Sequence, residues 1–145
     1  MRIWSRRWVG IIVIALLAGC ASGASRRSTS LYEQLGGSRG IAALTDASID
    51  HYAADPRVAP AFAHADINRF RRMFAQYICQ LAEGPCRYTG DSMAEVHRGM
   101  HLTDTQFNAV VEDLTAAMTS LHLPVRVQNQ LLKRLAAEHG HVTYQ

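Results

Sequence analysis

The chain has 145 residues with 15 basic and 12 acidic side chains, a pI near 9.0 and 48% hydrophobic content. Arg2, Arg6 and Arg7 all precede the apolar run 9–17, so a chain lacking its first nineteen residues holds twelve bases against twelve acids. The basic balance then belongs to an export signal and argues for no nucleic-acid partner, and what remains is long enough for one domain.

Leu17-Ala18-Gly19-Cys20 closes the apolar run with small residues before a cysteine, which reads as a bacterial lipoprotein box. On that reading residues 1–19 are a signal peptide, Cys20 is lipidated, and the mature protein is anchored in the cell envelope by its lipid and faces the periplasm. The alternatives are an uncleaved membrane anchor and an ordinary secretory signal, although the run is short against the roughly 20 residues of a membrane span. Residues 20–30 supply the lipidated cysteine and a tether without any large apolar side chain. Residues 31–141 are the expected domain.

That domain reads as all-α. Ser30 with Glu33 fits a capping box, and Gly36-Gly37 breaks the chain before a helix over 38–54. Ile41, Leu44, Ser48, Ile49 and Tyr52 recur there at the helical period. After the Asp55-Pro56 break, a helix over 66–82 carries Ile67, Phe70, Met73, Phe74, Tyr77, Ile78 and Leu81 on one stripe. Glu83-Gly84-Pro85 ends it, between Cys79 and Cys86. These two are a pair closing a short loop in a disulfide-permissive compartment, or two separate thiols. Their Cα separation decides, and the sequence does not supply it. Thr103 with Gln106 opens a helix over 103–121, and Pro124 stands in the first turn of a last helix over 124–140.

Between the second and third helices lies a long segment with one short helical turn, opened by Ser92 with Glu95 and holding His97. Long connections with little structure of their own are usually functional. Here Cys86-Arg87-Tyr88-Thr89-Gly90 is followed by Met93, His97, Gly99 and Phe107, and the chain opens with Leu31-Tyr32-Glu33-Gln34-Leu35-Gly36-Gly37. The pattern resembles the group I truncated haemoglobins, which place a Tyr-Thr-Gly before the proximal turn, a Met four residues ahead of the iron-binding His, a Gly two after it and an aromatic ten after it. The resemblance covers nearly all of residues 31–135. It implies a two-over-two helical sandwich around haem b (iron protoporphyrin), with oxygen, carbon monoxide or nitric oxide as ligand.

Position by position, the resemblance makes His97 the iron ligand, Phe62 the aromatic packed on the haem, and Met93, Val96, Leu102, Phe107 and Val110 the proximal wall. Arg71, Arg72 and Arg98 are candidates for the haem propionates. His101 stands where the family often has Gly, so the turn after the proximal helix should be restricted. His51, His64, His101, His122, His139 and His141 lack the paired spacing of a zinc helix. On the distal side, Ile49 and Phe74 occupy the positions where oxygen-holding members carry Tyr and Gln, and Phe70 lies one turn before Phe74. Such a pocket gives no donor to a bound gas, so oxygen should leave quickly. Tyr52 could reach the pocket by helical phase, but core packing is the preferred reading.

Reversible gas binding is therefore the expected function. Nitric oxide dioxygenation is the enzymatic alternative; it needs an external reductase and an electron donor that the sequence does not name, because the single domain carries no flavin or nicotinamide motif. Met73, one residue before Phe74, raises a third reading, an electron carrier or redox sensor with Met73 as sixth ligand.

Overall fold

A computed structural model describes residues 29–145. The signal peptide, Cys20 and nearly all of the tether expected from the sequence lie outside these described residues. Among the described residues every regular element is helical: α1 (Leu31–Gln34), α2 (Gly37–Ala54), a 3-10 turn (Ala59–Phe62), α3 (Ile67–Leu81), α4 (Met93–Val96), α5 (Asp104–Ser120), α6 (Val125–Ala136) and α7 (His139–Val142). None of these helices is long and apolar enough to cross a membrane.

The helix starts follow from side chains that satisfy otherwise free backbone amides. Ser30, Ser92 and Thr103 each accept from the backbone three residues on, and Glu33, Glu95 and Gln106 reach back to complete the box. Asp66 caps α3 by accepting from the Arg69 amide. Pro124 sits at the N-cap of α6 rather than inside its first turn.

Helix α2 packs on both α3 and α5, while α6 contacts α3 and α5, so the α2–α3 pair lies across the α5–α6 pair. The main core fills the space between the pairs with Ile41, Leu44, Ile78, Leu114, Met118 and Leu131. Replacing one of these large side chains with Ala should cost about 2–5 kcal/mol through lost transfer energy and the cavity left behind. Tyr52, Val58 and Ala109 form a separate buried cluster, against which Phe62, Phe70 and Val110 pack. The two-over-two sandwich expected from the sequence is the architecture observed.

The last helix departs from its expected span of 124–140. It stops at Ala136, and a separate turn, α7, folds back on α4. The chain then runs beside the segment that holds His97, where the Tyr144 amide donates to the Leu102 carbonyl and the Gly99 and His101 amides donate to a main-chain oxygen of Gln145. A continuous helix to residue 140 would carry the tail away from these partners.

Cys79 and Cys86 form a disulfide with a Cα separation of 5.8 Å. It ties the end of α3 to the start of the irregular segment, and the loop it closes is reinforced by the Gln80 side chain accepting from the Tyr88 amide.

Candidate functional site

The turn that holds His97 is built by its own sequence. Ser92 starts α4, the Glu95 carboxylate accepts from the Ser92 amide and hydroxyl, and those bonds hold the Glu95 carboxyl below the usual carboxylate range. His97 follows as the C-cap, half-buried, with its Nδ1 2.7 Å from the Met93 carbonyl oxygen. A carbonyl can only accept, so Nδ1 carries the proton and donates, and Nε2 keeps its lone pair. His97 lines a cavity of about 550 Å³. This is the arrangement by which a protein fixes the tautomer and direction of a metal-binding imidazole.

Of the residues expected around that imidazole, Met93, Val96, Leu102, Phe107 and Val110 line the cavity from the His97 side, and Phe62, Phe70, Met73 and Phe74 line it from the 3-10 turn and α3. Four aromatic rings make a continuous wall there. Tyr52 stacks on Phe62 at 5.7 Å, Phe62 meets Phe70 edge-on at 4.9 Å, and Phe70 stacks on Phe74 at 5.3 Å.

Four expected residues are not brought to the cavity. Ile49 is half-buried on α2 but does not line it; the α2 residue that does is Tyr52, one turn later and 4% exposed. Tyr52 belongs both to the small core cluster and to the cavity wall, so core packing describes only half of its place. Arg71 turns away, with Nε 2.7 Å from Asp46 and Nη1 bonded to Asn68. Arg98 is exposed and outside the lining, as is Arg72. The arginines that do line the cavity are Arg57 and Arg69. Arg57 is held between Asp55 and Glu112, at 2.6 and 2.8 Å, while Arg69 faces Asp91 more loosely at 3.5 Å. Helical phase identifies Arg69: it lies four residues before Met73 and so shares its face, whereas Arg71 and Arg72 do not.

His101 adopts φ +50°, in the left-handed region that glycine occupies without penalty. The restriction expected at that turn is therefore real, and it falls between His97 and α5. Gln76 points out of the cavity and lies 3.3 Å from the Thr89 hydroxyl.

The residues fit a haem. The cavity volume lies in the range of small-molecule and cofactor sites, and its walls are mainly apolar, as a water-excluding macrocycle pocket requires. Val96 and Met100 line it yet are 46% and 38% exposed, apolar surface that the protein alone leaves uncovered. A flat apolar cofactor seated against His97 would cover both, with Arg69, held only loosely by Asp91, available for its carboxylates.

The model of the bacterial-like globin family matches residues 30–144. A group 1 truncated hemoglobin of Tetrahymena pyriformis is 31% identical over 104 residues, covering 72% of this chain and 86% of that protein. Another from Nostoc sp. is 32% identical over 90 residues, covering 62% of this chain and 76% of that protein. The crystal structure of the Tetrahymena pyriformis truncated hemoglobin in its Fe(III) form superposes with a TM-score of 0.78 at 28% identity, over 80% of this chain and 99% of that one.

Proposed function

The chain belongs to the bacterial-like globin family, and from that premise we propose that it is a truncated haem globin that binds a diatomic gas reversibly, with His97 as its iron ligand and haem b as its cofactor. A bound haem would supply an iron centre able to take up oxygen, carbon monoxide or nitric oxide.

One observation carries the assignment: the Nδ1 contact to the Met93 carbonyl leaves Nε2 of His97 with a free lone pair in a residue that lines the cavity. Phe62, Phe70, Phe74 and Phe107 would exclude water from the macrocycle, and Arg69 would hold a carboxylate. On the gas side, Phe70, Met73 and Phe74 of α3 carry no hydrogen-bond donor, which favours weak holding and fast release of oxygen. Absorption spectra of the ferric, ferrous and carbon monoxide forms test this. A stoichiometric haem complex that is five-coordinate when ferrous and binds carbon monoxide is expected; a chain that takes up no haem would overturn the reading.

Met73 lines the cavity on α3, which favours electron transfer as a second reading. A His97 and Met73 ligand pair would raise the reduction potential, and a six-coordinate ferrous form converted to five-coordinate by Met73→Leu would establish it. Nitric oxide dioxygenation would require an electron donor from outside the domain.

The same proposal places the protein in the cell envelope, lipid-anchored through Cys20 and facing the periplasm. The lipoprotein box supports that placement, and the Cys79–Cys86 disulfide agrees with an oxidising compartment.

A further inference from the structure

Two exposed apolar side chains flank the turn that joins α5 to α6: Val125 is 69% exposed and Leu121 37%. That turn lies at the end of the molecule away from the cavity. The cavity takes its lining from Gln106 to Leu114 on α5 and from Leu135, Glu138 and Val142 later in the chain, so Leu121 lies about 20 Å beyond Phe107 along the helix. The domain begins at this same end. Ser30 caps α1, α1 packs on α6, and the Arg126 guanidinium in the first turn of α6 donates to the Gln34 side chain at 2.9 Å.

Charge divides in the same way. From Leu114 to Ala137 the sequence holds Arg126, Lys133 and Arg134 and no acid, and from Gln34 to Thr45 it holds Arg39 and no acid. The acids near α1 are engaged, Glu33 in the capping box with Ser30 and Glu83 with Arg134 at 3.0 Å. Asp66, Asp91, Glu95 and Glu138, by contrast, line the cavity. A domain with balanced charge therefore presents an acid-poor end with exposed apolar side chains, opposite an end that carries carboxylates.

We propose that the acid-poor end, formed by the starts of α1 and α2 and the α5–α6 turn, docks on an anionic lipid surface. Val125 and Leu121 enter the headgroup region, and the exposed Arg39 and Arg126 face its phosphates. This rests on Cys20 being lipidated. Ser30 lies ten residues after Cys20, a span of at most about 35 Å extended and about 17 Å as a flexible coil, against a radius of gyration of about 13 Å for a domain of this size. A domain tied that closely meets the bilayer first by the end that bears its tether. Arg26 and Arg27 add positive charge next to that end. Docking in this sense turns the cavity, with its exposed Val96 and Met100, away from the lipid.

The test uses the full haem-loaded protein, lipidated at Cys20, in vesicles of phosphatidylglycerol and phosphatidylcholine with and without bromine on the acyl chains. Trp4 and Trp8 precede Cys20, so the mature chain holds no tryptophan and an introduced one reports alone. Val125→Trp should lose most of its emission to the brominated lipid, whereas Asn108→Trp, exposed near the start of α5, should lose none. Adding Arg39→Gln to Val125→Trp should cut the docked-to-undocked ratio about fivefold, and vesicles of phosphatidylcholine alone should reduce the quenching as well. If Val125→Trp does not fold, Leu121→Trp on the other side of the turn reads the same contact. Equal quenching at both positions, no quenching at the turn, or quenching indifferent to phosphatidylglycerol overturns the proposal. A mature chain whose mass shows an unmodified Cys20 contradicts the anchor reading itself and takes the proposal with it.

Discussion

The Nδ1 atom of His97 lies 2.7 Å from the carbonyl oxygen of Met93, one helical turn earlier. That single contact fixes three properties of the imidazole at once: which nitrogen carries the proton, how the ring is turned, and which nitrogen keeps its lone pair. It exists because α4 is a helical turn, and α4 is a helical turn because Ser92 and Glu95 cap it.

Ser92→Ala should therefore be felt at the iron site. Loss of the cap costs about 1 kcal/mol, enough to loosen the Met93 carbonyl that orients His97. Transfer of haem to an acceptor apoprotein should quicken roughly fivefold. An unchanged transfer rate would show that the ring is oriented by other contacts.

His101→Gly should act in the opposite sense. A non-glycine residue at φ +50° costs about 1 kcal/mol, part of which a glycine returns through the entropy of the unfolded chain. The net gain should raise Tm by roughly 2 to 4 °C with the haem spectrum unaltered. A lower Tm would mean that the His101 side chain contributes more than its backbone strain removes.

Asp113 predicts a pH dependence of stability. Its carboxyl is held above the ordinary value in the folded chain, chiefly by burial, so the folded state binds the proton more tightly than the unfolded one. The group's contribution is complete below the unfolded pKa of about 3.9 and is lost as pH rises through the folded pKa. Asp113→Asn should thus be more stable than the unmodified chain at neutral pH, and the difference should shrink on acidification below that window. Denaturant titrations at several pH values decide it, and equal stability throughout would show that Asp113 titrates alike in both states.

Phe74→Gln places a donor on the α3 wall of the cavity. Oxygen release should slow about tenfold, while carbon monoxide release, which gains less from a donor, should change little. Stopped-flow ligand exchange on both proteins distinguishes this from a general loosening, in which both gases would leave faster.

Much of the fold is legible in the sequence because its signals are local. The three capping boxes are complete in the structure, and the stripe from Ile67 to Leu81 is the span of α3. The end of α6 is not legible, because it is set by α7 folding onto α4 and by the tail bonding to Leu102, Gly99 and His101, contacts between distant parts of the chain. At the site, residues that share a short segment with His97 lie where expected. The α2 contribution shifts from Ile49 to Tyr52, since helical phase alone does not say at which turn α2 meets the cavity. The arginine choice fails for Arg71 because Asp46, on another helix, claims it. Asp113 passes unnoticed in the sequence because a lone acid on a helix face reads as solvated, and only its packing against α2 makes it otherwise.

The iron ligand is tested most directly by His97→Gly, titrated with haem in the presence and absence of free imidazole. Without imidazole the variant should bind haem weakly or not at all, and added imidazole, filling the space the side chain leaves, should restore a stoichiometric complex with the spectrum of the unmodified protein. A His97→Gly protein that takes up one haem and shows the unmodified five-coordinate ferrous spectrum with no imidazole present would mean that another residue holds the iron.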